Sequence, residues 1–292
     1  MPGIGERNIT RLEIVDQLRK LGVQPGGVLL VHASFRRVRP VEGGPLGLIE
    51  ALRMALGPGG TLVMPSWSGV DDEPFDPASS PATPDLGVVA DTFWRLSDAR
   101  RSDHPFAFAA AGPLAQRVTS DPLPLPPHIP ASPVGRVHEL DGQVLLIGVG
   151  HDADTTLHLA ELMAAVPYGT PRYCTVIEHG SPVRVDYREN DHCCERFSLA
   201  DAWLGAKGLQ RKGRVGHAMA RLVRSRDIVA TALGHLARDP LIFLHPPEPG
   251  ARNATRRAGR RPEPACRTER APRPAAGPTP SPLRISDPPP AS

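Results

Sequence analysis

Residues 143–161 read QVLLIGVGHDADTTLHLAE. The run 143–149 is short and apolar, and Gly148 and Gly150 break it. That is the pattern of a strand buried on both faces. Residues 154–165 then read as a helix, ended by Pro167 and Gly169. A buried strand handing over to a helix through a glycine turn is the building unit of an α/β fold. Such folds hold ligands beyond the carboxyl ends of their strands.

Outward from this unit the pattern recurs. Residues 27–32 (GVLLVH) follow a Pro-Gly-Gly turn, and 60–65 (GTLVMP) repeat the short apolar run, so both read as buried strands. A helix begins at Thr10, where Thr10 and Glu13 have capping-box spacing, and Gly22 ends it. Further helices are expected at 46–56, 85–96, 198–207 and 215–236. Polar-alternating strands are expected at 173–178 and 182–187, and a late strand at 241–244. Apolar strands separated by helices predict a mostly parallel sheet covered by helices on both faces. The Pro-dense stretch 121–133 reads as a surface loop.

Composition narrows the function classes. Of the 292 residues, 40% are hydrophobic, enough for a core. No apolar run approaches the roughly 20 residues a membrane span needs, so no membrane partner is expected. The first residues carry no apolar signal core, so a cytoplasmic location is expected. Four cysteines (Cys174, Cys193, Cys194, Cys266) are too few for a disulfide framework. The net charge of +3 conceals a division. After Gly250, nine arginines face three acids, leaving 25 basic and 28 acidic residues before it. A mildly acidic body argues against nucleic acid and suits a cationic ligand. Residues 251–292 also hold ten prolines and few aliphatics, so a disordered tail is expected behind a domain spanning 1–250.

Five segments could carry chemistry. His32-Ala33-Ser34-Phe35-Arg36 leaves the first buried strand, either as an anion-holding turn or as an ordinary exit. Trp67 and Asp71-Asp72-Glu73 follow the second, and could meet a cation by stacking and ion pairing or be a solvated loop. Arg101-Ser102-Asp103-His104-Pro105 precedes the apolar run 106–111. His158 falls in the first turns of a helix, where the dipole disfavours imidazolium and suits a general base. A capped core histidine is the other reading. The cluster 189–195 (ENDHCCE) could orient a histidine, bind an amine or ligate zinc. No Gly-x-x-x-x-Gly-Lys-Ser/Thr is present, and 210–215 (QRKGRV) misses the common N-acetyltransferase pyrophosphate motif at its last position.

Taken in order, these segments resemble the aminoglycoside 3-N-acetyltransferase family. The likeness rests on His32-Ala33-Ser34, on 60–65, on Arg101-Ser102-x-His104-Pro105 and on Asp154-Thr155-Thr156-x-His158. It runs from about Leu18 to Pro247. Residues 65–69 (PSWSG), 71–77 (DDEPFDP) and 189–194 (ENDHCC) are similar to the apramycin- and gentamicin-acetylating subgroup. Ala33 and Asp154 depart from residues frequent in the family, Ser and Asn, and the familiar pattern stops before Cys266.

The resemblance implies the family's own antibiotic acetyltransferase fold rather than the common N-acetyltransferase fold. It implies acetyl transfer from acetyl-CoA to the 3-amino group of the 2-deoxystreptamine ring of an aminoglycoside. His158 is then the base, with Glu189 or Asp191 holding its imidazole. Ser34, Phe35, Arg36, Ser102 and His104 are expected along acetyl-CoA. Trp67, Asp71, Glu189 and Asp191 are expected around the drug. A zinc site at His192, Cys193 and Cys194 is the alternative to a metal-free site. The rival functions are a zinc-dependent hydrolase, a non-enzymatic drug-sequestering protein and a same-family acetyltransferase for another amine. A monomer and a homodimer fit equally.

Overall fold

The computed structural model describes residues 7–120, 123, 125–190 and 194–245. The elements, in chain order, begin with α1 (Arg11–Leu21), β1 (Val28–Ala33), α2 (Phe35–Val38), α3 (Gly44–Leu56), β2 (Thr61–Pro65), α4 (Gly87–Trp94), β3 (Arg100–Arg101), β4 (Phe108–Ala111) and α5 (Ala115–Thr119). They continue with α6 (Pro133–Glu139), β5 (Gln143–Ile147), α7 (Thr156–Met163), β6 (Thr170–Glu178), β7 (Ser181–Glu189), α8 (Leu199–Ala206), β8 (Arg211–Val215), β9 (Ala218–Arg224) and α9 (Ser225–Leu236).

Seven strands form one sheet in the order β3-β4-β2-β1-β5-β9-β8, and β6 pairs with β7 as a separate hairpin. The strands read as continuous apolar runs, β2, β1 and β5, are its parallel centre. The outer strands join antiparallel. Alternation along the central strands divides the core. Leu29, Val31, Leu145 and Ile147 pack under α1, α3 and α4. Val28, Leu30, Val144 and Leu146 pack under α6, α7, α8 and α9 on the other face. Each such buried aliphatic side chain stabilises the fold by roughly 1.5–3 kcal/mol. The expected two-faced helical cover is therefore present.

The capping box at Thr10 and Glu13 forms, and Gly22 closes α1 in the left-handed region. Three expectations change. The helix read at 215–236 is a strand pair followed by a shorter helix, because Gly216 (φ 59°) opens a turn and β9 pairs with β5 from Ala220 to Arg224. Pairing and burial of Ala218, Ala220 and Leu222 override the helix preference of Ala, Met, Arg and Leu. The late strand at 241–244 is a turn that inserts a fully buried Phe243. The helix read at 85–96 is a 3₁₀ turn, Pro84–Leu86, leading into α4. No helix among the described residues is long and apolar enough to cross a membrane. Contacts divide the chain into a unit Met1–Arg252 and a unit Asn253–Ser292; the expected tail lies outside the described residues.

Candidate active site

Parallel pairing brings the carboxyl ends of β1 and β5 side by side, with Ala33 opposite Ile147. Ser34 N–H donates to the Ile147 carbonyl at 2.9 Å, and Arg37 Nη1 donates to the Gly148 carbonyl at 2.7 Å. The exit of β1 is thereby fixed against the turn that leads into α7. Ser34 precedes the short helix α2, Phe35 packs partly into the core, and Arg36 is exposed.

The turn between β5 and α7 is built on buried polar groups. His151 Nδ1 lies 2.8 Å from Asp154 Oδ2, and its Nε2 lies 2.8 Å from Gln210 Oε1. Gln210 Nε2 donates to Asp201, which fixes the direction of the amide. Both ring nitrogens thus face acceptors, an arrangement that favours the doubly protonated ring although it has no exposed surface. Burial works against that charge, but the Asp154 carboxylate and the Gln210 carbonyl outweigh it and raise the His151 pKa. Burial alone would raise the Asp154 pKa; the bond to His151 lowers it. Asp154 Oδ1 also accepts from Thr156 N–H at the start of α7. Beside this pair, His32 Nε2 meets Thr155 Oγ1 at 3.3 Å, and burial pushes His32 down to about 4. The ring of His32 is therefore neutral.

Three residues into α7 stands His158. Its Nδ1 is 3.2 Å from Glu161 Oε2, one helical turn on. Glu161 is fully buried, and its other oxygen accepts from the Tyr168 hydroxyl. A carboxylate at Nδ1 makes that nitrogen the donor and leaves the lone pair on Nε2. The ring packs edge-on against Phe197 at 4.8 Å and beside His128 at 5.0 Å. His158 lines a small cavity with Pro126, Pro127, His128, Leu162 and Glu189.

The hairpin carries Glu189 to this place as the last residue of β7, and its carboxylate lies 3.5 Å from Arg172 Nε. Along the hairpin, Thr175 donates to the Asp71 carbonyl at 2.8 Å and the Tyr173 hydroxyl donates to Asp72. The acidic loop after β2 is thus pinned to the hairpin. Burial raises the Asp71 pKa, against the pull of Arg172. Burial and Asp71 push the Cys174 thiol up to about 11. Tyr187 is raised by burial, Glu189 and Asp71. Asp71, Glu189 and their neighbours therefore form one partly desolvated, acidic cluster. Trp67 leaves β2 half-buried, edge-on to Phe108 at 5.9 Å.

Ser102 Oγ accepts from Phe108 N–H and His104 Nδ1 accepts from Phe106 N–H, so both atoms hold the turn into β4. Asp191, His192 and Cys193 lie outside the described residues. Cys194 is half-buried at the head of a 3₁₀ turn. Among the described residues, no three His, Cys, Asp or Glu side chains are grouped to hold a metal ion. The carboxylate on His158 Nδ1 is that of Glu161; the sequence reading had Glu189 or Asp191 hold the imidazole, and Asp191 lies outside the described residues. The signal lay in the sequence: Glu161 follows His158 at the i,i+3 spacing of a shared helix face.

Residues 30–237 match the model of the aminoglycoside 3-N-acetyltransferase family. The chain is 77% identical over 242 residues to an aminoglycoside N(3)-acetyltransferase IV from a Salmonella species, covering 83% of this chain and 93% of that protein. Among solved structures, a mutant of aminoglycoside acetyltransferase AAC(3)-IVa in complex with a gentamicin superposes with a TM-score of 0.83 at 75% identity, covering 84% of this chain and 95% of the other. The same enzyme in complex with apramycin gives a TM-score of 0.79 at 72% identity, covering 85% and 98%.

Proposed function

The chain belongs to the aminoglycoside 3-N-acetyltransferase family, and from that membership we propose how its own residues carry out the transfer. It is an aminoglycoside N(3)-acetyltransferase, moving the acetyl group of acetyl-CoA to the 3-amino group of the 2-deoxystreptamine ring and so conferring resistance. Gentamicin and apramycin, bound by its relatives, are the substrates we assign to it.

The drug amine arrives as ammonium and has no lone pair to attack with. His158 Nε2 takes the proton, while the buried Glu161 holds Nδ1–H and stabilises the imidazolium that forms. The freed nitrogen forms a bond to the thioester carbon as the carbon–sulfur bond breaks. The thiolate leaves with the electron pair, the new amide nitrogen loses its second proton to water, and His158 returns its own proton to sulfur or to water. Asp71 and Glu189 supply the negative field that holds the ammonium groups, and Trp67 offers a ring face. Ser34, Phe35 and Arg36 stand at the strand end where acetyl-CoA is expected to lie, with Ser102 and His104 shaping the turn beside it.

The observation that carries this reading is the His158–Glu161 pair in a cavity shared with Glu189. Incubation with acetyl-CoA and apramycin or gentamicin should release free thiol, and His158→Ala should abolish the release while leaving the fold intact. Silence of the wild-type protein across an aminoglycoside panel would defeat the assigned activity. Turnover by His158→Ala would defeat the assigned base.

A further inference from the structure

Arg101 has no role in the transfer described above, yet its surroundings are built. The side chain leaves the short edge strand β3, opposite Ala109 of β4. Its guanidinium reaches across to the segment that follows β2. Nε donates to Ser66 Oγ at 3.2 Å and Nη2 to the Ser66 carbonyl. Nη1 donates to the Ser80 carbonyl at 2.5 Å and to the Pro77 carbonyl at 3.5 Å. The group also lies 4.2 Å from the Trp94 ring centroid and 4.7 Å from that of Phe75. All of these hydrogen bonds go to neutral oxygens. An ion so placed is costly to bury and is held by geometry, through a planar fork whose donors point in fixed directions.

The bonded residues define what the fork does. Ser66 begins the loop after β2, and Pro77 and Ser80 lie toward its far end. Between them are Trp67, Asp71 and Asp72. One cation therefore closes the loop at its base, and the Thr175 bond to Asp71 fastens its tip to the hairpin.

We propose that Arg101 is a positioning residue for aminoglycoside recognition, clamping the 66–80 loop so that Trp67 and Asp71 meet the drug. This rests on the reading of that loop as a drug-binding segment. Arg101 touches neither substrate, so its removal loosens the loop without altering the chemistry at His158. Lysine, a single point donor, replaces only part of the fork.

Steady-state kinetics of Arg101→Met and Arg101→Lys, varying each substrate in turn, tests the inference. The aminoglycoside KM should rise about tenfold or more in Arg101→Met, as expected for lost binding rather than lost chemistry. Saturated kcat should stay within about threefold of wild type and the acetyl-CoA KM should not move, while Arg101→Lys falls between. An unchanged aminoglycoside KM, or a rise confined to acetyl-CoA, overturns the proposal. Should Arg101→Met fail to fold, Arg101→Lys carries the same comparison. Asp71→Asn separates the two readings. If it leaves the aminoglycoside KM unchanged, the drug-binding role of the loop falls and the clamp's purpose with it. If it raises that KM and both Arg101 variants do not, the clamp alone is overturned.

Discussion

At the scale of single residues, the site depends on which nitrogen of each histidine is spoken for. His158 presents Nε2 because Glu161 occupies Nδ1. Glu161→Gln keeps the shape and removes the charge that stabilises the imidazolium. Its kcat should fall on the order of 10²- to 10⁴-fold with native circular dichroism. A kcat near wild type would assign the orienting role elsewhere. His32 and His151 work in opposite senses. His32 is held near 4 in the folded chain, against about 6.5 unfolded, so the unfolded chain binds the extra proton between those values. Stability therefore falls as pH drops from about 6.5 to 4, by on the order of 3 kcal/mol from this residue. His151, raised in the fold, contributes stability that is present below its unfolded pKa and lost as pH rises through its folded pKa. His32→Gln should flatten the acid limb of urea-measured stability over pH 6.5–4. An unchanged slope would refute the buried neutral ring.

Among the elements, the passage from β5 into α7 carries the most consequence. Gly148 ends the strand at φ 67°, and a Cβ there would lie 2.9 Å from the Arg37 Cβ. Gly148→Ala should cost roughly 1–3 kcal/mol in urea unfolding and lower kcat, because backbone strain at this turn shifts the start of α7. Equal stability would show that the turn yields more easily than its packing implies. The hairpin contributes differently. Its nine paired positions run from Thr170 opposite Glu189 to Glu178 opposite Ser181, and among the described residues it has no pairing to the main sheet. It brings Glu189 to the His158 cavity and fastens the acidic loop.

For the whole molecule, charge distribution is the property that bears on function. Arginines after Gly250 conceal a body with more acids than bases. A polycationic drug should be drawn to that body by long-range attraction, which salt screens over about 10 Å at 0.1 M. The aminoglycoside KM should therefore rise with ionic strength. Removing residues 253–292 should leave acetyl transfer and its salt dependence unchanged. A loss of activity on truncation would give the tail a part in the enzyme.

Reading the chain alone determined the parallel centre of the sheet, the helical cover, the position of His158 at the head of α7 and the acidic loop after β2. Those features follow from local periodicity, glycine turns and residue chemistry, which are written in consecutive positions. Tertiary structure decided the rest. The strand Ala218–Arg224 exists because β5 offers it a ladder, so its own helix-forming residues misled the local reading. Arg101 acquired a purpose only when Ser66, Pro77 and Ser80 were brought to it. Glu161 stood at readable spacing, but Glu189 had equal chemistry until folding buried Glu161 against Tyr168 and His158. A residue's type fixes what it can donate or accept, whereas the partner that uses that capacity is chosen by contacts distant in sequence.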